Sequence, residues 1–389
     1  MKTTITIIFP DILGGVAQLV KNLISYFPEG NFVFNLILTE QSNKQHTSAN
    51  YLFKSFSVKN FYYNAFENRY FVHKRLVKLI SKNTDIIIAN DWLELETIAT
   101  QKVNKKTVFI LHGDYDYYYD LAIKYQGIID VFITVSKHIE KKLILKLTER
   151  SNDIKYLKSI IADPDKDLQQ KKRNKFNAIF VGRLSEEKGY FDLETIDEFL
   201  KKRNIVINWT IVGAKVYNEK RYSWLQQDNV NWLGTLSNKQ VFQEYNKNTF
   251  FIFPSKAEGL GMVIVEAMKC GCIPLVSKLD AGIPEFVING KTGYMIDIGD
   301  INSYGLRIIE LVLSESKRIN MSNNAISISN KLFNPKKNAY QYYVLLNNLN
   351  KQKASLKIYP NIKFSKLDKE YLPNFFVKFV RTIIKHPKV

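Results

Sequence analysis

Phe250 to Cys270 reads FFIFPSKAEGLGMVIVEAMKC. Phe250 to Pro254 is a short apolar run, the pattern of a strand buried on both faces. Glu258-Gly259-Leu260-Gly261 interrupts it, and Met262 to Cys270 resumes with helical character. Strand, glycine turn and helix in that order build the edge at which open α/β sheets take their ligands. The two glycines let the backbone approach a ligand closely, and the helix start offers unpaired N–H groups with about half a positive charge. A diphosphate fits that end. Glu258 stands in the loop and Glu266 about one turn inside the helix, so both carboxylates can flank one ligand. Carboxylates accept hydrogen bonds from vicinal hydroxyls, which is the chemistry of sugar recognition. Taken singly, each also reads as a solvated surface glutamate.

The same rhythm extends in both directions. Ala178 to Val181, Trp209 to Val212 and Ile273 to Val276 are further short apolar runs around the opening stretch. An earlier series comprises Ile5 to Phe9, Phe32 to Leu38, Asp85 to Ala89, Thr107 to Leu111 and Val131 to Val135. Between its first two runs, Val16, Leu19, Val20, Leu23, Ile24 and Phe27 recur at helical spacing. Strands alternating with helices predict an α/β protein with parallel sheets. The 389 residues suffice for two domains, and the polar stretch from Ala162 to Lys175, which contains Pro164, places their boundary near residue 170. Glu40 to Tyr70, rich in Asn, Ser and aromatics, carries no clear period.

Composition narrows the function classes. Hydrophobic residues make up 46% and charged residues 24%, values of a globular protein. Met1 to Phe9 is too brief for a signal-peptide core and no apolar run is long enough to cross a bilayer, so the chain is expected in the cytoplasm. Cys270 and Cys272 are too close in sequence for an unstrained mutual disulfide and too few for a metal site. The net charge of +19 predicts attraction to polyanions, be they nucleic acid, anionic membrane or phosphorylated small molecules.

Two cations join the carboxylates. Phe180-Val181-Gly182-Arg183-Leu184 ends a strand and Lys188-Gly189 opens the next helix, so Arg183 and Lys188 can both neutralise phosphate charge. Gly14 and Gly15 form a comparable turn after the first strand.

The order Gly14-Gly15, His112, Arg183, Lys188, Glu258 and Glu266 resembles glycosyltransferase family 4, the retaining enzymes of GT-B fold. The run Phe253-Pro254-Ser255, Glu258-Gly259-Leu260-Gly261, Glu266-Ala267-Met268, Gly271, Pro274, Gly282-Ile283-Pro284-Glu285 and Gly290 to Gly293 is similar to that family's donor-site signature. The resemblance covers roughly residues 1 to 350. It implies two Rossmann-like, doubly wound parallel-sheet domains facing an interdomain cleft. Residues 1–165 would bind the acceptor, 172–335 the nucleotide sugar, and 336–352 would form a helix returning to the N-terminal domain. It further implies that Glu258 contacts the transferred sugar, that Glu266 binds the ribose, and that Arg183 and Lys188 hold the diphosphate. Gly259, Leu260 and Gly261 cradle donor sugar and phosphate, Gly14 and Gly15 complete the donor site, and His112 reaches a donor-sugar hydroxyl or the departing side of the reaction. The catalytic set is thus Glu258, His112, Arg183 and Lys188. The chain departs from the pattern at Ile160-Ile161-Ala162-Asp163-Pro164 and at Gly213-Ala214-Lys215, so hinge and base contacts are not carried over.

The function so implied is transfer of a sugar from a nucleotide diphosphate, a UDP-sugar, to a cell-surface polysaccharide or lipid-linked glycan, with retained anomeric configuration. No cofactor and no metal is expected, because cations and amides can stabilise the leaving diphosphate. Asp114-Tyr115-Asp116 is the competing metal motif. Residues 353–389 form a basic tail in which Leu372, Phe375, Phe376, Phe379, Val380, Ile383 and Ile384 repeat at helical steps, with Lys378, Arg381 and Lys385 on other faces. It holds nine Lys/Arg against two Asp/Glu. Such a tail either docks on the anionic inner face of the cell membrane or packs its apolar stripe on the protein itself. Competing readings are a sugar-nucleotide epimerase of the same fold and a basic nucleic-acid-binding protein. The latter lacks a stacking platform or recognition helix, so no nucleic-acid partner is expected.

Overall fold

The structure is a computed structural model that describes residues 2–42, 47–165, 174–215, 222–352 and 355–384. The chain divides into two compact units, Met1–Leu157 with Lys336–Val389, and Lys158–Pro335. The boundary expected near residue 170 falls at residues outside the described ones.

The first unit holds strands β1 (Thr3–Pro10), β2 (Phe32–Gln41), β3 (Val58–Tyr63), β4 (Ile86–Ala89), β5 (Lys106–Leu111), β6 (Val131–Thr134) and β7 (Ile154–Tyr156). They form one sheet in the order β3-β2-β1-β4-β5-β6-β7, with every pairing parallel. Chain order reverses between β1 and β4, which makes a switch point at the carboxyl ends of those strands. Helices α1 (Gly15–Tyr26), α2 (Arg69–Leu76), α3 (Trp92–Thr100), α4 (Asp116–Tyr125) and α5 (Lys137–Lys146) connect the strands. The apolar runs fill the core: Ile5, Ile7, Ile86, Ile87, Ile88, Val108 and Phe109 are fully buried. Strand runs of that kind have no polar face, as a sheet covered on both sides requires.

The second unit repeats the plan with β8 (Asn177–Val181), β9 (Asn208–Val212), β10 (Val230–Trp232), β11 (Phe250–Phe253), β12 (Ile273–Ser277) and β13 (Tyr294–Ile296), in the order β10-β9-β8-β11-β12-β13. These pairings are parallel too. Its helices are α6 (Asp192–Lys201), α7 (Asn238–Lys247), α8 (Met262–Lys269), α9 (Ile301–Leu313) and α10 (Glu315–Leu332). The start of α7 is a capping box, in which Ser237 and Gln240 satisfy each other's backbone amides. The switch point here lies between β8 and β11, the two strands that carry Arg183 and Glu258 at their carboxyl ends.

Two more helices return the chain to the first unit: α11 (Pro335–Lys351) and α12 (Asn374–Ile384). Tyr342, Leu346 and Leu349 of α11 are buried. Lys106 Nζ caps its last turn by donating to the carbonyls of Leu349 (2.7 Å) and Asn350 (2.6 Å). Among the described residues no helix is long and apolar enough to cross a membrane.

Candidate functional site

The turn after β11 is shaped by Gly261, whose φ of 76° and ψ of 58° are left-handed and rarely adopted by L side chains. A Cβ there would also stand 2.6 Å from the Ile264 side chain. The left-handed residue lets the chain enter α8 directly from the loop, so the first amides of that helix face the turn. The loop is tied down by Gly282 N–H, which donates to Gly259 O at 2.9 Å.

A second turn, between β8 and α6, presses against the first. Gly189 has φ 69°, and a Cβ at this position would lie 2.0 Å from the Pro254 carbonyl oxygen. That close approach delivers Lys188 to the glycine turn. Its Nζ is 2.7 Å from Glu258 Oε1 and donates to Ala257 O at 3.1 Å. Ser255 Oγ donates to the same Glu258 oxygen at 3.1 Å. Both partners are largely shielded, with side-chain exposures of 15% for Lys188 and 14% for Glu258. Arg183 is held loosely: its guanidinium is 61% exposed and 3.4 Å from Glu187, which also lies 3.3 Å from Lys188 Nζ. Lys188 is therefore locked to a carboxylate beside the helix start, and Arg183 stands exposed near it through their shared neighbour Glu187.

Glu266, five residues into α8, is buried. Its nearest hydrogen-bonding partner is Asn238 Nδ2 at 3.5 Å. Burial pushes its carboxyl up to about 7, against the pull of Asn238 and of the Lys269 charge. Lys269 is itself fully buried and donates to Ile161 O (2.8 Å), Phe333 O (2.9 Å) and Asp163 (2.6 Å). Glu266 is thus poised near neutral pH and becomes a better acceptor when hydroxyl donors reach it.

Gly14, Gly15 and His112 lie in the first unit. Gly14 precedes α1 in extended backbone and its carbonyl accepts from Gln18 N–H at 3.0 Å; Gly15 is the first residue of the helix. His112 follows β5. Desolvation lowers its pKa to about 3, so the ring is neutral. Asn90 donates through Nδ2 to Ile8 O at 2.8 Å, which turns its Oδ1 toward His112 Nε2, 2.8 Å away. The proton therefore sits on Nε2 and Nδ1 is an acceptor. Asn90 went unnoticed in the sequence, since an Asn after an apolar strand looks like an ordinary turn residue. Nearby, Asp91 caps α3 and accepts from Tyr117, while Glu94 is fully buried with its carboxyl pushed well up by desolvation and by Asp91. Asp114 of the Asp-x-Asp motif is engaged by Lys142 (2.7 Å), Tyr119 (2.6 Å) and His138 (3.0 Å). Among the described residues no group of three or more His, Cys, Asp or Glu is arranged to hold a metal ion.

Residues 163–328, which contain both turns and both carboxylates, match the family model "Glycosyl transferases group 1". That segment is a glycosyltransferase domain of group 1. An uncharacterized glycosyltransferase of Methanocaldococcus jannaschii is 24% identical over 350 residues, 85% of this chain and 94% of its own length. The capsular polysaccharide biosynthesis glycosyltransferase CapM of Staphylococcus aureus is 27% identical over 150 residues, 37% of this chain and 39% of that protein. Among solved structures, Anabaena HepE in complex with UDP and glucose superposes with a TM-score of 0.72 at 17% identity, covering 89% of this chain and all of that one. The fold is GT-B, two Rossmann-like parallel-sheet domains of seven and six strands. These matches favour glycosyl transfer over the epimerase and nucleic-acid readings.

Proposed function

We propose that this glycosyltransferase belongs to family 4 and moves a hexosyl group from a UDP-sugar, with retained configuration, to a cell-surface polysaccharide or lipid-linked glycan precursor at the cytoplasmic side of the membrane. The observation that carries the reading is the Lys188–Glu258 pair set against the left-handed start of α8. The capsular relative supports a glycan acceptor, and the UDP complex of the structural neighbour supports the nucleotide.

In this reading the diphosphate lies on the amides of Gly259 to Gly261, and Arg183 swings from Glu187 onto it. Lys188 exchanges part of its contact with Glu258 for a phosphate oxygen. Glu258 then faces the sugar, and Glu266 takes the ribose hydroxyls. The bond from the anomeric carbon to the phosphate oxygen breaks, and the bond to the acceptor oxygen forms on the same face. The acceptor's proton passes to the departing diphosphate. No protein nucleophile is needed, so catalysis is positioning plus electrostatics around a developing anion and an oxocarbenium-like sugar. No metal is required, because two cations and the helix end neutralise the leaving charge.

The test is to incubate the purified chain with a panel of nucleotide sugars and an acceptor extract, detect released nucleoside diphosphate by mass, and read the product anomer by NMR. The account expects UDP release that persists in EDTA and an axial or equatorial linkage matching that of the donor. An inverted linkage, or turnover that needs manganese, contradicts it.

A further inference from the structure

The tail resolves its two alternatives in an unusual way, because α12 is fastened by its polar side. Arg381 is 3% exposed, pairs with buried Asp368 at 2.8 Å and also donates to the Glu67 carbonyl. Asn374 accepts from Asn68 N–H at 2.9 Å and donates to Glu67 at 3.2 Å. Val377 is fully buried between them. Positions 374, 377 and 381 follow helical spacing and define one inward face. The segment before the helix is fixed as well, with Asn68 Nδ2 donating to the carbonyls of Lys369 (2.8 Å) and Leu372 (2.9 Å).

The outward face is apolar. Phe375, Phe379 and Ile383 are 76%, 64% and 64% exposed, with Phe376, Ile384 and Tyr371 exposed beside them. A surface helix normally buries its apolar stripe and wets its polar one; here the arrangement is inverted, and the inward ion pair fixes the orientation. Lys363, Lys366 and Lys369 are exposed on the same tail, while Lys378 pairs with Glu67 at 3.5 Å.

The geometry points to α12 as a docking ridge for an anionic lipid bilayer surface. The phenyl and isoleucine side chains enter the headgroup–acyl boundary while the lysines meet anionic headgroups. A second copy of the chain would satisfy the apolar ridge but would bring two lysine-rich tails together, which charge opposes. A polyanion in solution would satisfy the lysines and leave the ridge in water. Bilayer binding is independent of sugar transfer, so it can fail while the enzymatic reading survives, and the reverse.

The experiment is co-sedimentation of the full chain with vesicles of mixed phosphatidylglycerol and phosphatidylcholine, and with vesicles of phosphatidylcholine alone. The wild type should bind the anionic vesicles, and binding should fall at least roughly tenfold for the combined Phe375→Ser, Phe379→Ser, Ile383→Ser variant. Binding to phosphatidylcholine alone should be weaker than to the mixture. These side chains are exposed, so melting temperature should be unchanged; if the triple variant does not fold, Phe379→Glu alone serves. Equal vesicle binding by wild type and variant overturns the inference. So does a wild type that ignores anionic vesicles, or a wild-type dimer in light scattering that becomes a monomer in the variant.

Discussion

Replacing Glu266 by Gln should make the apo protein more stable at alkaline pH and worse at binding its nucleotide. The carboxyl is 5% exposed, and burial holds it at about 7 instead of its ordinary 4.5. Its folded value is raised, so the protonated form stabilises the fold and that stabilisation is lost as pH rises from the unfolded value through 7. At pH 8 the ionised group costs the second unit about 3 kcal/mol, taking 1.4 kcal/mol per tenfold difference in proton affinity. Glutamine keeps the shape and one acceptor without the charge. Melting curves of wild type and Glu266→Gln without ligand should therefore separate by roughly 5–10 °C at pH 8 for a domain of this size, and by only about a quarter of that at pH 5. Adding UDP should reverse the ranking, since the proposed role of the ionised carboxylate is to accept from the ribose hydroxyls. A pH-independent difference, or a Gln variant that is less stable at pH 8, would refute the reasoning.

Further outcomes follow from the same contacts. On the proposed role of the ionised Glu266 carboxylate in holding the ribose, UDP affinity should fall about tenfold between pH 8 and pH 6 in calorimetric titrations, and depend less on pH in Glu266→Gln. Gly189→Ala should lower melting temperature and donor turnover together, because the new Cβ meets the Pro254 carbonyl at 2.0 Å and pushes Lys188 off Glu258. His112 is neutral down to about pH 3, so a kcat profile between pH 5 and 9 should show no histidine inflection; Asn90→Ala should lower kcat by releasing the Nε2 tautomer without creating one.

All nine strands read from apolar runs are interior strands, and the four strands at sheet edges escaped that reading. β3 (VKNFYY) and β10 (VNW) each bury one residue, and β7 (IKY) one as well. Edge strands pair on one side and stay partly wet, so they lack the continuous apolar signature. Residues Glu40 to Tyr70 read poorly for this reason. At the site, the glycine turn before α8 was legible because two glycines follow an apolar strand. The Lys188–Glu258 bond was not, because 70 positions separate the partners and only the Gly189–Pro254 approach joins them. Glu266 looked like a possible surface glutamate, and its burial depends on α7 and Asn238 packing against it. The outward turn of the tail's apolar face was equally hidden, since periodicity gives a stripe and not the side on which the body lies.

The central claim is that the amides at the start of α8, with Arg183 and Lys188, grip a nucleotide's diphosphate. Calorimetric titration of UDP into the wild type, Arg183→Ala and Lys188→Ala tests it directly. The account predicts binding by the wild type and a loss of roughly tenfold or more in each variant, as expected for removing one charge-assisted phosphate contact. Absence of heat with UDP and every other nucleoside diphosphate, or variants that bind as tightly as the wild type, would contradict it.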